Sequence, residues 1–328
     1  MKELQTLIDH IRYGATQFAA AGLCFGHSYD NALDEATQLT LWALSLPHDL
    51  SPVYGAARLT AAEKKRVLAL FERRVRTRTP ACYLTGEAWF AGLKFKSDER
   101  ALVPRSPIAE LTIEGFEPWL AGRPVQRVLD LCCGGGSIGI ATAIHNPDWQ
   151  VDLVDLSEAA LALAAENVAD FEVGDRVRTL RSDLFSALKG ERYDLIVSNP
   201  PYVTVDEVAA LPREYRHEPE LGLIAGDDGL DLALRILADA PDHLSDHGLL
   251  VCEVGESERA LVKLLPALPL AWVEFKVGQM GVFVAERADL VAHAEAIRAE
   301  CAKRVGLKPS RRTARRRAAS RQRGPRRR

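Results

Sequence analysis

The feature that most constrains the fold is an alternation of apolar and amphipathic segments along residues 126–286. Segments such as 193–197 are almost wholly apolar, which is typical of strands buried in a parallel sheet. The predicted strands are 126–132, 150–155, 177–182, 193–198, 248–254, 270–276 and 281–286, and the predicted helices are 137–145, 157–169, 229–244 and 256–265. This order predicts an α/β fold with a doubly wound sheet. No helix separates the last two strands, so we expect them to pair as an antiparallel hairpin.

Residues 1–107 follow a different pattern, which predicts a small helical domain linked to the sheet by a β-hairpin. Thr60 followed by Glu63 is a capping-box pattern and predicts a helix that runs to about Arg76. From residue 80 onward proline, glycine and aromatic residues interrupt the helical spacing, and residues 93–96 alternate as a hairpin strand. We therefore predict a sheet domain over 108–290 and a C-terminal segment over 291–328, which begins with the end of a helix at about 288–304.

Composition indicates a cytoplasmic protein without a membrane segment. The six cysteines, at positions 24, 82, 132, 133, 252 and 301, show no paired spacing, which is typical of free thiols in a reducing cytosol. No His or Cys lies at ligand spacing from Cys132 and Cys133, so we expect no metal. No signal peptide pattern and no apolar stretch of about 18 residues is present.

A glycine turn, residues 132–136, follows the first predicted strand and precedes a helix. Glycines allow close approach of a ligand to the backbone, and a helix N-terminus offers free N–H groups. The turn alone is compatible with a dinucleotide, a nucleoside sulfonium or no ligand at all. It carries no basic residue to favour a diphosphate, and an acidic rim such as Asp130 suits a cationic sulfonium better.

Two acidic residues follow the next two strands and support a nucleoside site. Asp155 ends the second strand, where its carboxylate can accept both ribose hydroxyls. Asp183 ends the third, where it can accept from an adenine amine while Leu184 lies against the ring. Either aspartate alone is more often a helix cap or a solvated residue, but both stand at the carboxyl ends of consecutive strands, where ligands bind in this architecture.

The fourth strand runs directly into Asn199-Pro200-Pro201-Tyr202. The prolines fix φ and remove two backbone donors, which leaves the Asn199 side-chain oxygen and the Pro200 carbonyl as rigid acceptors. An NH2 group presents two coplanar donors to such a pair, and Tyr202 offers a ring for stacking. The sequence is also compatible with a rigid turn. We interpret it as a site that positions an amide or aniline-like nitrogen for methylation.

These residues resemble the amino-methyltransferases, which include DNA adenine methylases and protein glutamine N5-methyltransferases. Residues 80–86, Trp89-Phe90 and 103–107 resemble the linker hairpin of the glutamine methyltransferases. Residues 214–223, with Gly226 and 228–230, are similar to the branch that modifies a glutamine of large-subunit ribosomal protein number three. The glycine turn departs from the family at Cys132, where Gly is frequent, and at Cys133 and Gly135, which stand for Thr and Ser.

The resemblance implies a Rossmann-like seven-stranded sheet, S-adenosylmethionine as methyl donor and that ribosomal protein as partner. The predicted cofactor-binding residues are Asp130, Cys132, Cys133, Gly134, Gly135, Gly136, Asp155, Asp183, Leu184 and Asn199. The predicted substrate-binding residues are Asn199, Pro200, Pro201 and Tyr202, of which Asn199, Pro200 and Tyr202 are catalytic. The sequence is equally compatible with two roles for Arg105, Arg216 and His217: binding of the substrate, or an ordinary salt bridge. For Glu253 we expect a structural role.

Two rival functions remain open. A DNA adenine-N6 methyltransferase shares the tetrapeptide but needs a target-recognition domain for base flipping. The sequence offers no obvious candidate besides the small helical N-terminus, and the first 307 residues are acidic. A non-enzymatic RNA-binding ribosome assembly factor would have no need of the intact motif.

The C-terminus is not part of the family pattern. Residues 308–328 contain 11 basic and no acidic residues, whereas the first 307 carry 31 basic and 45 acidic. This tail has too few apolar residues to pack, so we predict that it is disordered. Two interpretations remain: a solvated extension, or an electrostatic anchor for ribosomal RNA.

Overall fold

A computed structural model describes residues 3–27, 29–276 and 280–305 of the chain. Two sheets occur within these ranges. The strands of the small hairpin are β1 (Glu87–Phe90) and β2 (Leu93–Lys96). Those of the large sheet are β3 (Arg127–Leu131), β4 (Gln150–Asp155), β5 (Val177–Arg181), β6 (Tyr193–Ser198), β7 (Leu244–Glu253), β8 (Ala271–Trp272) and β9 (Val282–Glu286). Their order across the large sheet is β5-β4-β3-β6-β7-β9-β8.

Helices surround both sheets. Those of the N-terminal region are α1 (Leu7–Ala20), α2 (Ala32–Ala43), α3 (Ala61–Thr77) and α4 (Ala81–Thr85). Those beyond it are α5 (Ile108–Ile113), α6 (Ser137–His145), α7 (Glu158–Asp170), α8 (Val205–Ala210), α9 (Asp231–His243), α10 (Glu258–Leu264), α11 (Arg287–Ala292) and α12 (Ala294–Val305). Across the described residues, no helix has the length and apolar character required to cross a bilayer.

The predicted α/β fold with a seven-stranded sheet is confirmed. Strands β3 to β7 run parallel, and β9 is antiparallel to both β7 and β8. Both faces of the sheet are buried. Successive side chains of a strand point to opposite faces, so neighbouring residues lie in different cores. Val128 and Leu195 lie in the core on one face, whereas Leu129 and Ile196 lie in the core on the other. Because β3, β4 and β6 are parallel, their carboxyl ends lie at the same edge of the sheet.

Several boundaries differ from the prediction. Strand β7 begins at Leu244, directly after α9, rather than at residue 248. Its register with β6 shifts between Tyr193 and Leu195, so the polar residues 245–247 belong to an irregular stretch without the alternation of a regular strand. Strand β8 pairs over two residues only, where 270–276 was predicted. The helix predicted over 288–304 is divided at His293 into α11 and α12.

The N-terminal region contains the predicted helices and hairpin. Thr60 accepts a hydrogen bond from the Glu63 N–H, and the Glu63 side chain bonds back to the Thr60 backbone, so the predicted capping box is present. Phe18 of α1 meets Phe71 of α3 edge to face, with ring centroids 5.2 Å apart. The boundary at residue 107 stays a prediction, and the basic tail lies outside the described residues.

A buried ionic cluster joins the N-terminal helices to the sheet domain. Arg74 of α3 is 1% exposed, and its Nε donates to Glu35 of α2 at 2.7 Å. Glu214, from the segment that follows α8, lies 3.7 Å from Arg74 and accepts from Arg78 at 3.1 Å. Glu214 also accepts from the Cys24 N–H at 3.1 Å. The negative charges of two carboxylates and the positive charges of two guanidinium groups thus balance at the junction.

We predict that Arg74→Met lowers the free energy of unfolding by about 3–5 kcal/mol, because Glu35 would keep a buried charge without its cation. Arg73→Met is the matched control, since Arg73 is an exposed residue of the same helix, and we expect it to change stability by less than about 0.5 kcal/mol. Urea denaturation followed by circular dichroism measures both. Equal stabilities of the two variants would contradict the role assigned to Arg74.

Candidate active site

A cavity lies at the carboxyl ends of β3, β4 and β6, and it brings together most of the residues predicted from the sequence. The predicted residues that line it are Cys132, Cys133, Gly134, Gly135, Asp155, Asp183, Leu184, Asn199, Pro200, Pro201 and Tyr202. The linker residues 100–106 form another wall, and Pro219 and residues 221–223 contribute to the lining as well. Asp130 and Gly136 are not among the lining residues.

The glycine turn holds its shape through left-handed backbone conformations. Gly134 and Gly136 have φ values of 55° and 81°, which glycine adopts without steric cost. Cys132 has a φ of 63°, a conformation that is strained for a residue with a Cβ. A Cβ added at Gly134 would meet only the Ala101 side chain, at 3.8 Å, so the turn faces open space within the cavity.

Asp130 lies beneath the turn, not at its rim. The residue has no exposed surface, and its Oδ2 accepts from the Gly139 N–H of α6 at 2.8 Å. Its Oδ1 has no hydrogen-bond partner among the described residues. Burial raises the pKa of Asp130 to about 7. Near neutral pH the carboxyl is therefore partly protonated, and its position supports α6 rather than an acidic rim.

Asp155 fixes the turn from the neighbouring strand. Its Oδ2 accepts from the Gly134 N–H at 2.9 Å, and its Oδ1 accepts from the Ser157 N–H at 2.8 Å. Burial raises the pKa of this carboxyl, although both hydrogen bonds lower it. Each carboxylate oxygen has more than one acceptor site, so Asp155 keeps acceptor capacity for a ligand that lies in the cavity.

Asp183 and Leu184 lie at the end of β5 in contrasting surroundings. The Asp183 side chain is 53% exposed and forms an ion pair with Arg235 of α9 at 2.8 Å. Leu184 is buried and has a φ of 47°. The cavity wall here is thus an apolar surface with a carboxylate at its outer edge.

The segment that follows β6 presents oxygen acceptors on a fixed backbone. The Ser198 hydroxyl donates to the Leu131 carbonyl at 2.6 Å, which ties the end of β6 to the end of β3. Pro200 and Pro201 are buried, and Asn199 is half-buried. Within the described part of the chain, no hydrogen bond engages the Asn199 carboxamide. Its oxygen is therefore available to a ligand.

Tyr202 is held in place through its hydroxyl and through its ring. Its hydroxyl donates to Glu253 Oε1 at 2.7 Å. At Gly255, which has a φ of 49°, an added Cβ would lie 2.6 Å from the Tyr202 ring, so only glycine allows this close approach. Burial raises the pKa of Tyr202 well above its usual value, and the phenol stays neutral. The ring therefore offers a fixed, uncharged face to the cavity.

The contacts that join Glu253 and Ser106 to this site were not predicted from the sequence. Glu253 is 4% exposed and ends β7, and its Oε2 accepts from the Ser106 hydroxyl at 2.5 Å. One signal was available in the sequence: Glu253 is a carboxylate at the end of a predicted strand that is otherwise apolar. A carboxylate buried at such a position has to be compensated by hydrogen-bond donors.

The wall formed by Pro219 and residues 221–223 is anchored by an arginine–carboxylate pair. Arg105 donates twice to Glu218, at 2.6 and 2.9 Å, and Glu218 also accepts from the Val103 N–H at 3.1 Å. Arg105 is therefore committed to an ion pair. The His217 ring contacts the Thr77 carbonyl at 3.0 Å, and Arg216 is exposed.

The described residues contain no group of His, Cys, Asp or Glu side chains arranged to hold a metal ion. Burial raises the pKa of the Cys132, Cys133 and Cys252 thiols, which keeps them protonated. Protonated thiols are weak nucleophiles and weak metal ligands. The cavity offers hydrogen-bond acceptors, an aromatic face and backbone N–H groups to a ligand.

Comparisons with known proteins give the following matches. Residues 116–211 match the family described as Methyltransferase small domain. A protein of Xanthomonas campestris pv. campestris, named ribosomal protein uL3 glutamine methyltransferase, is 68% identical over 90% of this chain and 96% of its own length. One of the same name from Xylella fastidiosa strain 9a5c is 64% identical over 92% and 96%. Among solved structures, a methyltransferase from Pyrococcus furiosus is 19% identical with a TM-score of 0.43, over 60% of this chain and 89% of that chain.

We predict that Gly255→Ala displaces the Tyr202 ring, breaks its hydrogen bond to Glu253 and costs about 1–3 kcal/mol of stability through overpacking. Gly174→Ala is the control, because a Cβ there would meet only Val168, at 3.8 Å. Crystal structures and thermal unfolding of both variants measure the effect. An unmoved Tyr202 ring in Gly255→Ala would show that the ring is not held as described.

Proposed function

The chain belongs to the family of ribosomal protein uL3 glutamine methyltransferases, and on that basis we propose that it methylates the side-chain amide nitrogen of a glutamine in uL3. The relatives confirm the resemblance predicted from the sequence, down to the ribosomal branch. The observation that carries the proposal at the site is the unengaged Asn199 carboxamide on the rigid segment after β6. A ribosomal protein as substrate is consistent with the cytoplasmic location predicted from composition.

The methyl donor in this proposal is S-adenosylmethionine, which supplies a methyl group bonded to a sulfonium centre. The cavity suits it, since the space above Gly134 is open and the lining joins carboxylates to an apolar wall. Asp155 would accept from the ribose hydroxyls and Asp183 from the adenine amine, with Leu184 against the ring. Residues 132–135 would approach it through their backbone, while Asp130 and Gly136 would support the turn from below.

The substrate side depends on two oxygen acceptors. Asn199 Oδ1 and the Pro200 carbonyl would each accept one hydrogen of the glutamine NH2 group, and the Tyr202 ring would stack on the plane of the amide. An amide nitrogen is a poor nucleophile, because its lone pair is delocalised into the carbonyl. Two accepted hydrogen bonds raise the electron density on nitrogen and fix its direction of attack. Rate enhancement then comes mainly from positioning and preorganised acceptors.

No strong base is required before attack. As the N–CH3 bond forms, the S–CH3 bond breaks and the donor leaves as a neutral thioether. The N–H proton becomes acidic only as the nitrogen forms its fourth bond, so the Asn199 and Pro200 oxygens hold that hydrogen until it passes to solvent water. The neutral phenol of Tyr202 is consistent with a stacking role rather than a role as base.

A transfer assay with radiolabelled S-adenosylmethionine tests the proposal against its rivals. Purified uL3 and unmethylated DNA are offered separately. We expect label in uL3, located by mass spectrometry to one glutamine side chain. Label in DNA would favour an adenine methyltransferase, and label in neither would favour a non-enzymatic assembly factor. Either of those results would overturn the proposal.

We predict that Asn199→Ala lowers the turnover of uL3 at least a hundredfold, which corresponds to about 3 kcal/mol of transition-state stabilisation. Asn199→Asp keeps an oxygen acceptor at the same position, so we expect it to retain more activity than Asn199→Ala. Titration calorimetry with the donor separates binding from turnover. Near-normal turnover of Asn199→Ala would refute the role given to this side chain.

We also propose that the basic tail binds ribosomal RNA. Deletion of residues 308–328 removes 11 basic residues, and the affinity of such contacts for RNA falls steeply with salt. We predict that the deletion weakens binding of a ribosomal RNA fragment in fluorescence anisotropy and spares methylation of isolated uL3. Equal RNA affinity with and without the tail would remove this role.

A further inference from the structure

We propose that Glu253 is a positioning residue for the transfer reaction: it fixes the distance between the Tyr202 ring and the linker wall of the cavity. This inference rests on the proposed function, because Tyr202 is the surface on which the glutamine amide would stack. Glu253 itself acts only through Tyr202 and Ser106 and contacts neither substrate nor donor in this scheme.

The two oxygens of Glu253 have different partners on opposite walls. Oε1 accepts from the Tyr202 hydroxyl at 2.7 Å, and Oε2 accepts from the Ser106 hydroxyl at 2.5 Å. Tyr202 follows β6, whereas Ser106 belongs to the linker that leads from the hairpin to α5. Both residues line the cavity. One carboxylate at the end of β7 therefore bridges two segments that the sheet alone would not hold together.

The surroundings of Glu253 are not those expected of a carboxylate kept only for stability. It is 4% exposed, and no salt bridge joins it to a cation within the described residues. The nearby Arg105 gives both terminal nitrogens to Glu218 instead. A buried carboxylate without a paired cation is costly, and an apolar residue of similar size would pack there at lower cost. The presence of a glutamate at this position is explained by the two hydroxyl groups that it fixes.

Each partner is restrained so that Glu253 determines its final position. The Tyr202 ring lies against Gly255, two residues beyond Glu253, so it cannot move toward β7. The Ser106 oxygen accepts from the Ile108 N–H at 3.2 Å, which leaves its hydrogen for Glu253. Glutamine at position 253 could accept from only one hydroxyl and would turn an NH2 group toward the other. The charged form satisfies both.

A double-mutant cycle on the full-length protein tests the proposal. The variants are Glu253→Gln, Tyr202→Phe and their combination, with Glu256→Gln as a matched control at an exposed glutamate. Each single variant breaks the two-ended bridge between Tyr202 and Ser106, because Gln can accept at one end only and Phe cannot donate, so we expect each to lower kcat for uL3 roughly tenfold and the combination to lower it no further. The dissociation constant of the donor should stay within about twofold, and the control should match the wild type.

Additive losses, roughly a hundredfold in the combined variant, would overturn the proposal, since Glu253 would then act independently of Tyr202. A loss confined to donor affinity would overturn it too. If Glu253→Gln does not fold, Ser106→Ala replaces it: this variant removes the other hydrogen bond, and we expect a smaller fall in kcat with an unchanged donor constant. Wild-type kinetics in Ser106→Ala would contradict the bridge.

A readout without turnover separates this proposal from the proposed function. Crystal structures of the wild type and Glu253→Gln should show a displaced Tyr202 ring or a displaced Ser106 hydroxyl. If the wild type does not methylate uL3, the proposed function fails, and the structures still test the bridge. If uL3 is methylated and neither group moves in the variant, the positioning role fails alone.

Discussion

The arrangement of the site depends on the pairing of β3 with β6, which the buried hydrogen bond from Ser198 to the Leu131 carbonyl completes at 2.6 Å. This contact brings the glycine turn and the Asn199–Tyr202 segment to the same edge of the sheet. Each segment is rigid for its own reason, one through left-handed glycines and the other through consecutive prolines. The methyl-donor side and the glutamine side of the proposed reaction therefore lie in one cavity on conformationally restricted backbone segments.

Local sequence predicted the elements whose signal is continuous. Strands 150–155 and 193–198 have the predicted bounds. The start of β7 could not be predicted, since its irregular pairing with β6 removes the polar–apolar alternation. The residues of the glycine turn and of the Asn199–Tyr202 segment were predicted from motifs, in which the functional residues are adjacent in the sequence.

The contacts that sequence reasoning did not predict depend on packing between distant parts of the chain. Glu253 meets Tyr202 and Ser106, which are 51 and 147 positions away in the chain. Asp130 was expected to form an acidic rim that suits a cationic sulfonium, but its side chain is fully buried and accepts from the Gly139 N–H of α6. Motif spacing reports which residues belong together, whereas burial of a given side chain depends on packing between elements that no local pattern describes.

The ionic cluster at the domain junction has a consequence for biosynthesis. Arg78 is 136 positions ahead of Glu214 in the chain, and Arg74 precedes Glu214 as well. As the polypeptide leaves the ribosome, the helices can already pair Arg74 with Glu35, but the second carboxylate arrives only after most of the sheet has been translated. Until then the helical region carries excess positive charge at the face that will be covered. Its maturation is thus tied to translation of the segment that follows α8.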